Sequence, residues 1–263
     1  MITSMANGRI RQLQKWQKKK KAREEDGVFL VEGIRMAVEA PQEQIKEIYL
    51  SESFAGKKEH EALINSWTDR NITLLSDAVF SHVSDTLAPQ GVLLVMEAKQ
   101  WGEDEFLGNG KQPPLLMLLE NMQDPGNLGT VLRAGEAAGV TGVILSRDSV
   151  DIYNPKVIRS TMGAIYRMPC RYVDSLTESV EMLREKGIRS YAAWLPGSVS
   201  YDREDYRGGT AFLIGNEGNG LLEQTALAAD ARIRIPMCGQ VESLNAAVAA
   251  SVLMFEAARQ RRE

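Results

Sequence analysis

Three short stretches of the chain gather residues suited to handling a ligand rather than to filling a core. The first is Asp124-Pro125-Gly126-Asn127-Leu128-Gly129, followed by Arg133 and Ala134. Asp124 suits a helix N-cap and Pro125 the first helical position. On a 3.6-residue projection Leu128, Val131, Leu132, Gly135 and Ala138 form a core stripe, and Arg133 points away from it. Small neighbours one turn away, Gly129 and Ala137, fit either an ordinary surface arginine or one that a ligand or another chain approaches closely. The second stretch, Gly215-Asn216-Glu217-Gly218-Asn219-Gly220, follows an apolar run. Its glycines permit positive φ and close approach of a ligand to the backbone, as they also would in a plain turn. The third stretch is Ile235-Pro236-Met237 and then Ser243-Leu244-Asn245-Ala246-Ala247. Ser243 is expected to cap a final helix with the core stripe Leu244, Val248, Ser251 or Val252, and Phe255. Asn245, a mediocre helix former in the first turn, then has no structural task. Alanines between 246 and 258 offer a smooth surface for close helix packing.

Alternating strands and helices must position these stretches. A basic helix running to about residue 23 precedes a strand over 28–31 and a helix over 33–39 that Pro41 closes. Strands follow over 45–50, 72–75 and 91–96, with a polar helix near 57–69 and a helix near 77–83. Residues 99–113 turn polar and rich in glycine and proline, which reads as a linker. Beyond it come strands over 115–119, 143–145, 188–194, 211–214 and 232–235. Helices end at Ala138, where Gly139 terminates one, and fall near 176–186, 221–229 and 243–259. The expected organisation is an amino-terminal α/β domain over 1–98, a linker over 99–113 and a carboxyl-terminal domain over 114–263. Buried strands alternating with helices predict an α/β fold with a mostly parallel sheet covered on both faces. Ligands of such sheets bind beyond the carboxyl ends of the strands, which is where all three stretches fall.

Composition narrows the function classes. Two cysteines and two histidines in 263 residues exclude a zinc site of ordinary spacing and point to a reducing, cytoplasmic setting. No apolar run has the length of a membrane span, and no metal is expected. The spacing at 215–220 is not G-x-G-x-x-G, which speaks against a Rossmann dinucleotide site. A net charge of −4 hides a run of Arg9, Arg11, Lys15, Lys18, Lys19, Lys20, Lys21 and Arg23 with no acid among them. Such a run reads equally as a solvated helix or as a footprint for nucleic-acid phosphates.

In this order, and each at a strand end, the motifs resemble the SpoU (TrmH-like) branch of the SPOUT RNA methyltransferases. The matching residues are N-x-G-x-x-x-R-A from Asn127 to Ala134, G-N-E-G-x-G from Gly215 to Gly220, and I-P-M with S-L-N-A-A from Ile235 to Ala247. Tyr153-Asn154-Pro155-Lys156, Arg159-Ser160 and Gly163-Ala164 are similar to the family's intermediate segment. Phe29-Leu30-Val31-Glu32-Gly33 and Pro89-Gln90-Gly91-Val92 are similar, more weakly, to the ribosomal-protein-like substrate-binding domain of many members. The resemblance implies a parallel-sheet SPOUT domain with a trefoil knot, beside a smaller amino-terminal α/β RNA-binding domain. It also implies a homodimer and a cofactor, S-adenosylmethionine, held largely by main-chain groups. The implied activity is RNA 2′-O-ribose methylation, with ribosomal RNA favoured. Transfer RNA as substrate, or a non-catalytic RNA-binding or ribosome-assembly protein of the same fold, are the alternatives.

Carried over by position, Arg133, Asn127, Glu217, Ser243 and Asn245 form the catalytic set, and Gly215, Asn216, Ile235, Met237 and Leu244 the cofactor pocket. Arg9, Arg11, Lys15, Lys18, Lys19, Lys156 and Arg159 are the expected RNA contacts. Arginine stays protonated in proteins, so Arg133 is expected to clamp the target phosphate and stabilise developing negative charge rather than act as a base. Glu217 is left either to take the proton or to orient Arg133 or Asn127.

Overall fold

The structure, a computed structural model, describes residues 1–67, 69–108, 110 and 112–262. Asn109 and Lys111 of the expected linker, Thr68 of the expected polar helix and Glu263 lie outside the described residues. The chain divides into two compact units, Met1–Gln100 with Tyr153–Tyr166, and Trp101–Ile152 with Arg167–Glu263.

The first unit opens with two helices rather than one, α1 (Gly8–Lys18) and α2 (Lys20–Asp26), because Lys19 adopts an extended conformation between them. Arg23 secures the corner: it is buried, and its guanidinium donates to the carbonyls of Trp16 and Gln17, which the end of α1 leaves without helical partners. Arg23 is therefore a capping group and not part of the basic surface. The strands β1 (Val28–Glu32), β2 (Ile45–Ser51), β3 (Ile72–Leu75) and β4 (Val92–Glu97) form a mixed sheet in the order β1-β4-β2-β3. Ile10, Leu13 and Trp16 of α1 and Val79, Phe80 and Val83 of α6 (Asp77–Val83) fill one core with Leu30, Tyr49 and Leu93. Shorter helices α3 (Ile34–Glu39), α4 (Glu52–Ala55) and α5 (Glu61–Asn65) complete the unit. The polar helix expected near 57–69 is thus a short 3-10 turn followed by α5.

In the second unit the stretch read as a linker carries a helix, α7 (Glu103–Leu107), whose Phe106 is buried in the core. Strands β5 (Leu115–Leu119) and β6 (Gly142–Ser146) flank helix α8 (Pro125–Ala138) in sequence. Asp124 caps α8, and Gly139 ends it in the left-handed conformation, as the residue types require. Helix α9 (Pro155–Thr161) belongs to the first unit, where Tyr153 stacks on Phe29 and Arg159 pairs with Asp85 at 2.8 Å. The chain then adds β7 (Cys170–Val173), α10 (Leu176–Glu185), β8 (Arg189–Ala193), β9 (Val199–Ser200), β10 (Thr210–Ile214), α11 (Glu223–Ala228), β11 (Ala231–Arg234) and α12 (Ala246–Gln260). The strands β7 and β9, absent from the sequence reading, are edge strands too short and too polar to show a periodic signal.

All seven strands pair in parallel, in the order β7-β6-β5-β10-β8-β11-β9. Every residue of β5 and β10 is buried, which explains their unbroken apolar sequence in place of an alternating one. Helices α7, α10 and α11 cover one face, and α8 and α12 pack together on the other.

Candidate active site

The loops after β5 and β10 and the start of α12 converge at the carboxyl edge of the second sheet. Glu217 lies at the centre. One carboxylate oxygen accepts from the main-chain N–H of Asp124 and from Asn127 Nδ2, each at 3.1 Å, and the other accepts from Gln123 N–H at 3.2 Å. The negative charge thereby sits against the amino-terminal, positive end of α8. Burial acts to raise the Glu217 pKa, but hydrogen bonds from Asn127 and from the main chain at Glu217, Gln123 and Asp124 outweigh it and hold the carboxyl below its ordinary range.

An ionised carboxylate only accepts hydrogen bonds, so it fixes which way Asn127 turns. The amide faces Nδ2 to Glu217 and leaves Oδ1 to accept from Asn245 Nδ2 at 2.9 Å. Asn245 Oδ1 is then free to accept from Ala247 N–H at 2.9 Å and Val248 N–H at 3.2 Å, which makes Asn245 the N-cap of α12. Two assignments change as a result. Ser243 is not the cap; it is exposed in the preceding loop, with Leu244 half-buried beside it. Asn245 does have a structural task. With the cap two residues later than expected, the buried stripe is Ala247, Ala250, Leu253, Met254 and Ala257, and Val248 and Phe255 are exposed.

Arg133 occupies the exposed side of α8, six residues or about 9 Å along the axis from Asn127. No described residue pairs with it by hydrogen bond or ion pair. The stripe Leu128, Val131, Leu132, Gly135 and Ala138 is buried as expected. Gly129 is buried with that stripe, so it opens no space beside Arg133.

The glycine-rich loop is tightly specified. A Cβ at Gly215 would overlap main-chain atoms of Gly220 and Leu221, so only glycine fits there. Asn216 pairs its main chain with Gly220, accepts on Oδ1 from the N–H groups of Gly218 and Asn219, and donates from Nδ2 to the Asn121 carbonyl at 2.7 Å.

Several residues that the sequence reading passed over hold these loops. Glu120 is buried at the end of β5 and accepts from Leu222 N–H at 2.6 Å and from Thr225 Oγ1. Asn121, at φ 52, turns the chain and accepts on its side chain from Ser146 Oγ at 3.1 Å. A usable signal existed for Asn121, since asparagine tolerates the left-handed region better than other side chains.

The features of this edge fit S-adenosylmethionine. Ile235, which follows β11, Leu244, which precedes the cap of α12, and Met237 between them are half-buried apolar side chains. Among the described residues, the main chain of 236–244 makes no hydrogen bond, so its N–H and C=O groups are free to receive the polar parts of a ligand.

The expected RNA contacts fall in the first unit. Arg11, Lys15 and Lys18 are exposed at i, i+4 and i+7 along α1, and Lys19 is exposed at the corner. Arg9 donates to Thr73 Oγ1 at 3.1 Å. Lys156 is exposed on α9, and the Arg159 charge is offset by Asp85.

Comparison with known proteins identifies the family. Residues 114–255 match the SpoU rRNA Methylase family, and residues 7–94 match an MRM3-like substrate binding domain. The 23S rRNA (guanosine(2553)-2′-O)-methyltransferase RlmP of Bacillus subtilis is 31% identical over 260 residues, covering 97% of each chain. The AdoMet complex of the SpoU methyltransferase AviRb from Streptomyces viridochromogenes superposes with a TM-score of 0.86 at 28% identity, covering 98% of this chain and 99% of that one. An AdoMet-bound rRNA methyltransferase from Sinorhizobium meliloti gives 0.84 at 27% identity, covering 98% and 97%. The chain belongs to the SpoU methylase family. It is an S-adenosylmethionine-dependent RNA methyltransferase.

Proposed function

We propose that this protein methylates a ribose 2′-hydroxyl of ribosomal RNA. The observation that carries the reading is the line of hydrogen bonds from Glu217 through Asn127 to Asn245, which ties polar residues of all three motifs together at the carboxyl edge of the parallel sheet. Support for ribosomal RNA comes from the activity named for the Bacillus subtilis relative and from the substrate-binding match over 7–94.

S-adenosylmethionine, when bound, supplies an electrophilic methyl group on its sulfonium. Gly215, Asn216, Ile235, Met237 and Leu244 hold it, with the main chain of 236–244 meeting its polar parts. Arg133, exposed and without a partner among the described residues, grips the phosphate beside the target ribose and steadies charge developing on the 2′-oxygen. Holding hydroxyl and methyl in line supplies much of the acceleration. Glu217 is a weak base with three donors already on its carboxylate, so it orients Asn127, and the hydroxyl proton passes to water or to a substrate phosphate. Ser243 and Asn245 stand at the amino terminus of α12 and direct ligand oxygens towards it.

The exposed basic line of Arg11, Lys15 and Lys18, with Arg9, Lys19, Lys156 and Arg159, draws in RNA phosphates. A homodimer is supported by Val248 and Phe255, apolar side chains 48% and 47% exposed two turns apart on α12. The family's trefoil knot is in keeping with the order β10-β8-β11-β9, in which strands late in the sequence interleave. Free Cys170 and Cys238 accord with a cytoplasmic setting.

Nucleoside mass spectrometry of RNA from cells with and without the protein tests the reading. Loss of one 2′-O-methyl mark from ribosomal RNA is expected. Loss of a base methylation, or of a mark in transfer RNA only, would overturn it.

A further inference from the structure

Strand β11 carries two arginines, Arg232 and Arg234, on the side opposite the buried Ile233, because alternate residues of a strand point to opposite faces. Both reach the loop that follows β8. Arg234 donates to the Ser198 carbonyl. The Nε and Nη2 atoms of Arg232 lie 3.8 and 4.0 Å from the place a Cβ on Gly197 would take. Gly197, at φ +66, has no side chain to lay across that fork.

Arg232 differs from the ion-paired arginines of this unit. Arg147, Arg167, Arg184 and Arg207 each carry a carboxylate partner. Arg232 has none among the described residues, and its Nε is buried without an acceptor. The place is also apt. Arg232 is level with Ala192 near the carboxyl end of β8, and Arg234 directly precedes Ile235.

We propose that Arg232, with Arg234 beside it, binds a backbone phosphate of the RNA strand next to the nucleotide being methylated, end-on through its two Nη groups. Guanidinium groups suit this because their parallel N–H bonds match two phosphate oxygens. The cofactor is the wrong ligand for the pair: its sulfonium and ammonium outnumber its single carboxylate, so two adjacent cations repel it. The inference rests on RNA being the substrate handled at this edge of the sheet.

The test uses the full chain and an unmodified ribosomal RNA transcript. RNA binding is followed against salt, separately from methyl transfer, for wild type, Arg232→Gln, Arg232→Lys and the Arg232→Gln/Arg234→Gln double variant. Arg232→Gln should weaken RNA binding about fivefold to tenfold near physiological salt and lower the slope of log affinity against log salt by about 0.7. Arg232→Lys should restore the slope but only part of the affinity, and cofactor affinity and melting temperature should not move. Unchanged RNA affinity and slope in the double variant would overturn the proposal, as would a change in cofactor affinity. A wild type that binds the transcript but transfers no methyl to it would overturn the ribosomal substrate and leave the arginine test standing, because phosphate contacts are read without regard to sequence.

Discussion

Asn127 Oδ1 accepts a hydrogen bond from Asn245 Nδ2 at 2.9 Å, across 118 positions of sequence. That bond joins the first turn of α8 to the cap of α12, and its direction is set by Glu217 on the far side of Asn127. A change at any of the three residues reaches the other two.

Asn245→Asp separates capping from orientation. Aspartate caps a helix as well as asparagine, so the melting temperature should stay near wild type, whereas Asn245→Ala should cost about 1 kcal/mol. An aspartate side chain there has no N–H to offer Asn127, so methyl transfer should fall in both variants. Full activity in the aspartate variant would reduce Asn245 to a cap.

Gly215→Ala should be severely destabilising, by about 3 kcal/mol or more, since the added Cβ meets main chain that has nowhere to move. Gly218→Ala, three residues on, meets only Asn216 Oδ1 at 3.4 Å and should unfold nearly as wild type does. Denaturant titration of the two variants compares them directly.

Glu217 gives a pH signature. Its carboxyl is held below the ordinary value, so the folded state binds this proton less readily than the unfolded chain. Its contribution to stability is therefore complete above the unfolded pKa of about 4.3 and is lost as pH falls through the lower folded value. Unfolding of Glu217→Gln, followed from neutral pH into acid, should differ most from wild type near pH 7 and converge with it in acid. A constant difference would mean the hydrogen bonds do not depend on the charge.

Arg133→Lys should leave stability within about 0.5 kcal/mol, because the side chain is exposed and makes no hydrogen bond or ion pair among the described residues. Turnover should drop by about a hundredfold or more if two parallel N–H bonds are needed. Near-normal turnover with unchanged RNA affinity would exclude that role.

Replacing Arg11, Lys15 and Lys18 together with glutamine should reduce the salt slope of RNA binding by about 2 and leave cofactor affinity alone. All three side chains are exposed, so thermal unfolding should change little.

The chain's local grammar was enough for much of this protein. Asp124, Pro125 and Gly139 fix the two ends of α8, and the unbroken apolar runs of β5 and β10 announce buried parallel strands, because caps and burial act within a few residues. The three motifs could be read as one site only through their resemblance to a family. Tertiary structure decided the rest. Ser243 and Asn245 are equally good caps by type, and the choice fell to Asn245 because its other end meets Asn127. Arg23 looked like one more surface cation until the end of α1 offered it two carbonyls. Arg133 kept the exposed position its helical phase gave it, whereas the carboxyl of Glu217 is held below its ordinary range by N–H groups 90 or more positions away in sequence. Hydrogen bonds between loops depend on where strands end in space, and spacing along a chain does not carry that information.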